Sequence, residues 1–188
     1  MRFPYGIADF RALIGEGYFY VDRIDRIPLI ENAGKQLLFL RPRRFGKSLW
    51  LSTLENYYDL ARADDFERLF GPLKIGQNST PLHNRHFVLR WDFSVVDPSG
   101  DHAAIRRALF NHLNVRIEDV VVRYAQFLGD RVRIDPDDGI ASFQSLLSAI
   151  SHTPHKLYLL IDEYDNFAIA GVRRPGATAG GGSFLRSW

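Results

Sequence analysis

The chain has 188 residues, 46% hydrophobic and 24% charged, with a formal net charge of +2. That is one domain's length with enough apolar content for a core, and a balance too near neutral to argue for nucleic acid by itself. No cysteine is present, which excludes disulfides and thiolate metal sites. The opening MRFPYGIADF lacks a signal-peptide pattern and no apolar stretch reaches the roughly 18 residues of a membrane span, so the cytoplasm is the expected location.

In chain order, residues 7–14 predict a short amphipathic helix with Asp9 as an early cap, ended by Gly15 and Gly17. Residues 18–22 (YFYVD) predict a short strand, and 24–32 a second short helix closed by Ala33 and Gly34. The run 36–40 (QLLFL) is continuously apolar, the pattern of a strand covered on both faces. After the turn 41–46, residues 47–60 place Leu49, Leu51, Leu54, Tyr57, Tyr58 and Leu60 near helical spacing. Residues 64–70 add a helical turn or two before Gly71 and Pro72, and 75–85 are polar and turn-rich. A second buried strand is expected at 86–93 (HFVLRWDF), then a DPSG turn, then a long helix over 102–128 capped by Asp101. A charged connection, 129–139, leads to an amphipathic helix at 140–151 and a third buried strand at 156–161 (KLYLLI). Strands alternating with helices predict an α/β domain, a mainly parallel sheet flanked by helices. The Gly- and Arg-rich stretch 171–188 is expected to be disordered, which sets the domain at 1–170.

RPRRFGKS lies between an expected strand and an expected helix and matches the P-loop (Walker A) pattern GxxxxGK[ST] at Gly46, Lys47 and Ser48, with Arg41 in place of the first glycine. Gly46 lets the backbone approach a phosphate, and the new helix aims its N–H groups and positive dipole end at the anion. Lys47 reaches the β and γ phosphates, and Ser48 ligates magnesium. Pro42 fixes its own φ and extends Arg41, so the positive-φ positions are expected later in the loop. The bland reading is a basic, solvated turn.

KLYLLIDEYD ends an apolar strand in Asp162 and Glu163, the Walker B pattern, about 115 residues after the phosphate loop. Asp162 would hold magnesium, mostly through water, and Glu163 would orient and polarise an attacking water. Asp165 either assists or starts the next turn. The bland reading is a strand running into a solvated turn. His83 with His86, and His152 with His155, have metal-ligand spacing but no acidic or cysteine partner, and read as surface histidines. Arg106 and Arg107 read as the solvated face of the long helix, and Trp50, Trp91, Tyr57 and Tyr58 as packing. The basic cluster Arg41, Arg43 and Arg44 favours phosphate over nucleic acid.

The run YFYVDRIDRIPLIENAGKQLLFLRPRRFGKSLWLSTLENYY, the segment Trp91-Asp92-Phe93-Ser94 and the LIDEYD segment resemble the AAA-ATPase-like family, over residues 7–165. Arg41 at the first loop position is a feature of that family. The resemblance implies a P-loop NTPase core using ATP and Mg2+. It places Arg43, Arg44, Phe45, Gly46, Lys47, Ser48 and Leu49 around the nucleotide, Ser48 and Asp162 on the metal, and Glu163 as catalytic residue. Members often continue into a restriction-endonuclease-like nuclease domain, so this chain is expected to be the N-terminal part. In AAA-like sheets the strand after the acidic one inserts between it and the P-loop strand. Residues 167–170 are short for that strand, which predicts an incomplete sheet, weak hydrolysis and dependence on a partner strand or an oligomer. The function expected is therefore ATP binding, with hydrolysis implied by the resemblance. The alternatives are a non-hydrolysing nucleotide-binding remnant or interaction module and, more weakly, a nucleic-acid-binding module. No membrane partner is expected.

Overall fold

The segments HFVLRWD and KLYLLID pair in parallel as β1 (His86–Asp92) and β2 (Lys156–Asp162), in register from His86 opposite Lys156 to Asp92 opposite Asp162. The computed structural model describes residues 1–40, 42 and 44–165. Parallel strands need a long crossover, and here it is helical: α6 (His102–Arg123), the short α7 (Ala125–Leu128) and α8 (Gly139–Ser151). Before β1 come α1 (Phe10–Gly15), α2 (Ile27–Ala33), α3 (Lys47–Tyr58), α4 (Phe66–Phe70) and α5 (Lys74–Gln77).

Side-chain alternation along the strands splits the core in two. Val88 and Leu160 join Phe10, Leu54, Tyr57 and Phe70 on the α1, α3 and α4 side. Phe87, Leu89 and Trp91 join Leu113, Ile117 and Leu146 on the α6 and α8 side. The sheet is thus sandwiched between helical layers, which is the expected α/β arrangement. Two expected caps form: Asp9 accepts from the Ala12 N–H at 3.0 Å and Asp101 from Ala104 at 2.7 Å; Asp138, not foreseen, caps α8 by accepting from Ile140 and Ala141. Arg106 and Arg107 are exposed, and Tyr57, Tyr58 and Trp91 are buried.

Several expectations are corrected. Residues 18–22 form no strand. Tyr18 makes a single bridge to Arg2, and Asp22 instead binds the N–H groups of Ile24 at 3.0 Å and Lys74 at 2.8 Å, tying the segment to α5. The run 36–40 is not a strand either, so the described sheet has two strands rather than three. Leu38 is 68% exposed and Leu40 72%. An apolar run becomes a strand only where another backbone edge meets it, and among the described residues none does. The helix at 47 stops at Tyr58 because Asp59 turns extended, and the helix at 102 breaks at Tyr124. The polar stretch 75–85 includes most of α5. The short strand expected at 167–170, the boundary near 170, the tail 171–188, Arg41 and Arg43 lie outside the described residues.

The two breaks share one cause. Asp59 has no solvent exposure, so its carboxylate must find donors inside. Its Oδ1 accepts from the Tyr124 hydroxyl at 2.7 Å and the Ala61 N–H at 2.8 Å, and its Oδ2 lies 3.2 Å from Arg123 Nη1 and 3.3 Å from Arg62 Nε. The Tyr124 hydroxyl also accepts from the Val88 N–H of β1 at 2.9 Å. Burial, then the Asp59 charge, pushes the Tyr124 hydroxyl well above the usual phenol range. Tyr124→Phe leaves both the Asp59 carboxylate and the Val88 N–H short of a partner, and should lower unfolding free energy by about 2 kcal/mol in urea titration. A loss near zero would show that the hydroxyl is replaceable there.

Candidate phosphate-binding site

The start of α3 is open and uncapped. Gly46 is its N-cap residue at φ 75°, and no side chain caps the helix. The first N–H groups of a helix have no intrahelical acceptor, so those at the head of α3 point outward from a positive dipole end. The Trp50 N–H closes the first turn on the Gly46 carbonyl at 2.9 Å. Arg44 is also left-handed, at φ 66°, and the Phe45 N–H reaches the Pro42 carbonyl at 3.4 Å. Among the described residues of the loop, the positive-φ positions are Arg44 and Gly46, in its later half. A Cβ on Gly46 would meet no atom within 4 Å. The glycine is there for its backbone angle and for whatever approaches it, not for packing.

Lys47 and Ser48 are half-buried on the first turn, and Leu49 packs against the core. Lys47 lines a cleft of about 400 Å³ with Phe39, Leu40, Pro42, Tyr164 and Asp165. The phosphate loop and the segment just after the acidic strand thus open on the same space. Among the described residues no hydrogen bond or ion pair joins Lys47 or Ser48 to Asp162 or Glu163.

Asp162 ends β2 and is 4% exposed. Its Oδ2 lies 3.2 Å from Arg90 Nη2, and its Oδ1 accepts from the Glu163 N–H at 3.2 Å. Glu163 leaves the strand at φ 51°, a left-handed backbone that a glutamate adopts only at an energetic cost. Arg90, on β1, also lies 3.6 Å from Glu55 of α3, and Glu55 lies 3.8 Å from Arg123. Burial opposes the Arg123 charge, but Tyr124, Asp59 and Glu55 outweigh it and raise its pKa. A sequence pattern does not show Arg90 or Glu55 as site residues, because their partners are 72 and 68 positions away in the chain.

The histidines are not the surface residues expected. His83 lies tilted against Phe66, His86 meets Tyr58 and Tyr158, and His155 packs between Phe87 and Phe127, each half-buried; of these four, only His152 is exposed. Burial, the largest influence on His86, lowers its pKa. Among the described residues no three His, Cys, Asp or Glu side chains gather as a metal site. A cation here would complete its shell with water and phosphate oxygens. No helix is long and apolar enough to cross a membrane, among the described residues.

A family model described as Predicted AAA-ATPase matches residues 4–188. Over 177 residues the chain is 30% identical to an uncharacterized protein in the vnfD 5' region of Azotobacter chroococcum mcd 1, covering 93% of this chain and 31% of that one. The chain thus spans about a third of that relative's length. No solved structure matches it.

Gly46→Ala should lower stability by about 1 kcal/mol through its left-handed backbone alone, since no neighbour would be struck. Thermal unfolding of the variant reads this directly. A much larger loss would mean that the loop packs more tightly than the open space around Gly46 implies.

Proposed function

Because the chain belongs to the AAA-ATPase-like family, we propose that it binds ATP with Mg2+ at the head of α3, on a P-loop NTPase core. The observation that carries this reading is the uncapped start of α3 behind a left-handed Gly46, with Lys47 facing the cleft shared with Tyr164 and Asp165. The backbone of Arg44, Phe45, Gly46, Lys47, Ser48 and Leu49 cradles the phosphates, joined by Arg43 from the same loop. The Lys47 ammonium neutralises the β and γ oxygens.

The oxygen donors available suit a hard cation: one hydroxyl at Ser48, on the first turn of a helix that packs against β2, and one carboxylate at Asp162, at the end of that strand. Magnesium held there would supply charge neutralisation to the phosphates. Ser48 would ligate it directly and Asp162 would hold it mostly through water. Glu163 stands next to Asp162 on a backbone turned out of the strand. It orients the attacking water and takes its proton, which makes hydrolysis the reaction of this site.

Binding of a fluorescent ATP analogue with and without Mg2+ tests the first step. Lys47→Ala should weaken it at least tenfold, the effect of losing a charged phosphate contact worth about 1.5–3 kcal/mol. Equal binding by both proteins would reduce the loop to a basic turn. Glu163→Gln should keep binding and lower phosphate release by about 10²–10⁴-fold. Turnover undiminished in Glu163→Gln would remove Glu163 from the chemistry.

A further inference from the structure

Arg90 is a half-buried cation with two carboxylates to choose from. Its Nη2 lies 3.2 Å from Asp162 Oδ2 and its Nη1 3.6 Å from Glu55 Oε2. The Asp162 side chain is 5% exposed, so its charge needs a cation close by whenever no metal supplies one. The other Asp162 oxygen is already taken by the Glu163 N–H. Arg90 also borders a polar cleft that holds the carboxylates Asp9 and Glu55 together with the cations Arg11 and Arg62. The guanidinium therefore has space to turn from Asp162 while keeping a carboxylate partner.

Resting on the nucleotide reading above, we propose that Arg90 is a positioning residue that occupies Asp162 while the site is empty and withdraws to Glu55 when a divalent cation binds. Two cations drawn to one buried carboxylate repel each other, also where water stands between the metal and the carboxylate, so Arg90 and the metal compete for Asp162. Glu55 provides the second seat. With no cation bound Arg90 bridges Asp162 and Glu55; with one bound, Asp162 faces the metal and Arg90 keeps Glu55 alone. Neither state strands a buried charge. Glu55 stands on α3 about two turns after Lys47, so the helix that presents the phosphate loop also carries the second seat. Nucleotide at the head of α3 and metal at the end of β2 are then coupled through one guanidinium.

The test titrates Mg2+ at a fixed concentration of fluorescent ATP analogue, using wild type, Arg90→Gln and Glu55→Gln. Arg90→Gln removes the competitor and should lower the half-saturating Mg2+ about tenfold, within the range of ordinary coupling between sites. Glu55→Gln removes the second seat and should raise it. A purely structural role would move both variants the same way. Thermal unfolding with magnesium chloride alone is the second arm. Mg2+ should raise the unfolding temperature of Arg90→Gln, not of wild type, and the rise should vanish in Arg90→Gln with Asp162→Asn. If wild type binds the Mg2+ nucleotide and the variant titrations overlay it or shift together, the proposal is overturned. If wild type binds no nucleotide, the nucleotide reading fails, and absence of a Mg2+-dependent rise in Arg90→Gln overturns the Arg90 exchange separately. Should Arg90→Gln not fold, the Glu55→Gln titration decides, and an unchanged or lowered Mg2+ requirement counts against the exchange.

Discussion

A carboxylate with no access to water has to be answered entirely by its surroundings, and the Asp59 carboxylate draws its donors from two parts of the fold, while a third holds its backbone. Arg123 and Tyr124 come from the end of α6, Ala61 and Arg62 from the turn after α3, and the Asn84 side chain binds the Asp59 carbonyl at 2.7 Å. Tyr124 carries the connection into β1 through Val88. Removing the charged partner of a buried ion pair costs about 3–5 kcal/mol, more than the loss of a neutral hydroxyl donor, because a buried charge is left uncompensated. That constraint decides where α3 ends, where α6 breaks and how β1 is held between them.

From Asp59 the charges alternate towards the site: Arg123, Glu55, Arg90, Asp162. Each step crosses between elements, from α6 to α3, to β1, to β2. The acidic end of β2 is therefore positioned by side chains as well as by the strand register. The phosphate loop is held differently, through helix geometry and the left-handed Gly46. Lys47 of that loop and Tyr164 and Asp165, just after β2, border one cleft.

The sequence makes local chemistry legible. The GKS triplet, the apolar run into Asp162, the capping aspartates at 9 and 101, and the strands at 86 and 156 all depend on neighbours within a few positions, and the structure has each of these as elements or caps. Residues 18–22 and 36–40 misled because apolar and β-branched content reports burial and stiffness, while a strand also requires a partner edge that composition does not reveal. The histidine rings misled for a related reason. Polarity suggested solvent, but aromatic neighbours from distant segments enclose them. The bridges from Glu55 to Arg123 and from Arg90 to Asp162 carry no local spacing, so no pattern along the chain could have shown them.

The left-handed turn at Glu163 sets stability against use at a single residue. Its φ of 51° is one that glycine or asparagine adopts with less strain than glutamate. Replacing it with glycine would therefore relax the backbone where the side chain is most exacting. Random variation selected only for robustness should drift towards glycine or asparagine here, and a lineage that keeps glutamate is being held there by what its carboxylate does. The position acts as a marker. Among relatives of this chain, glutamate in that strained turn would separate chains still under selection for chemistry from chains that have settled into holding a ligand.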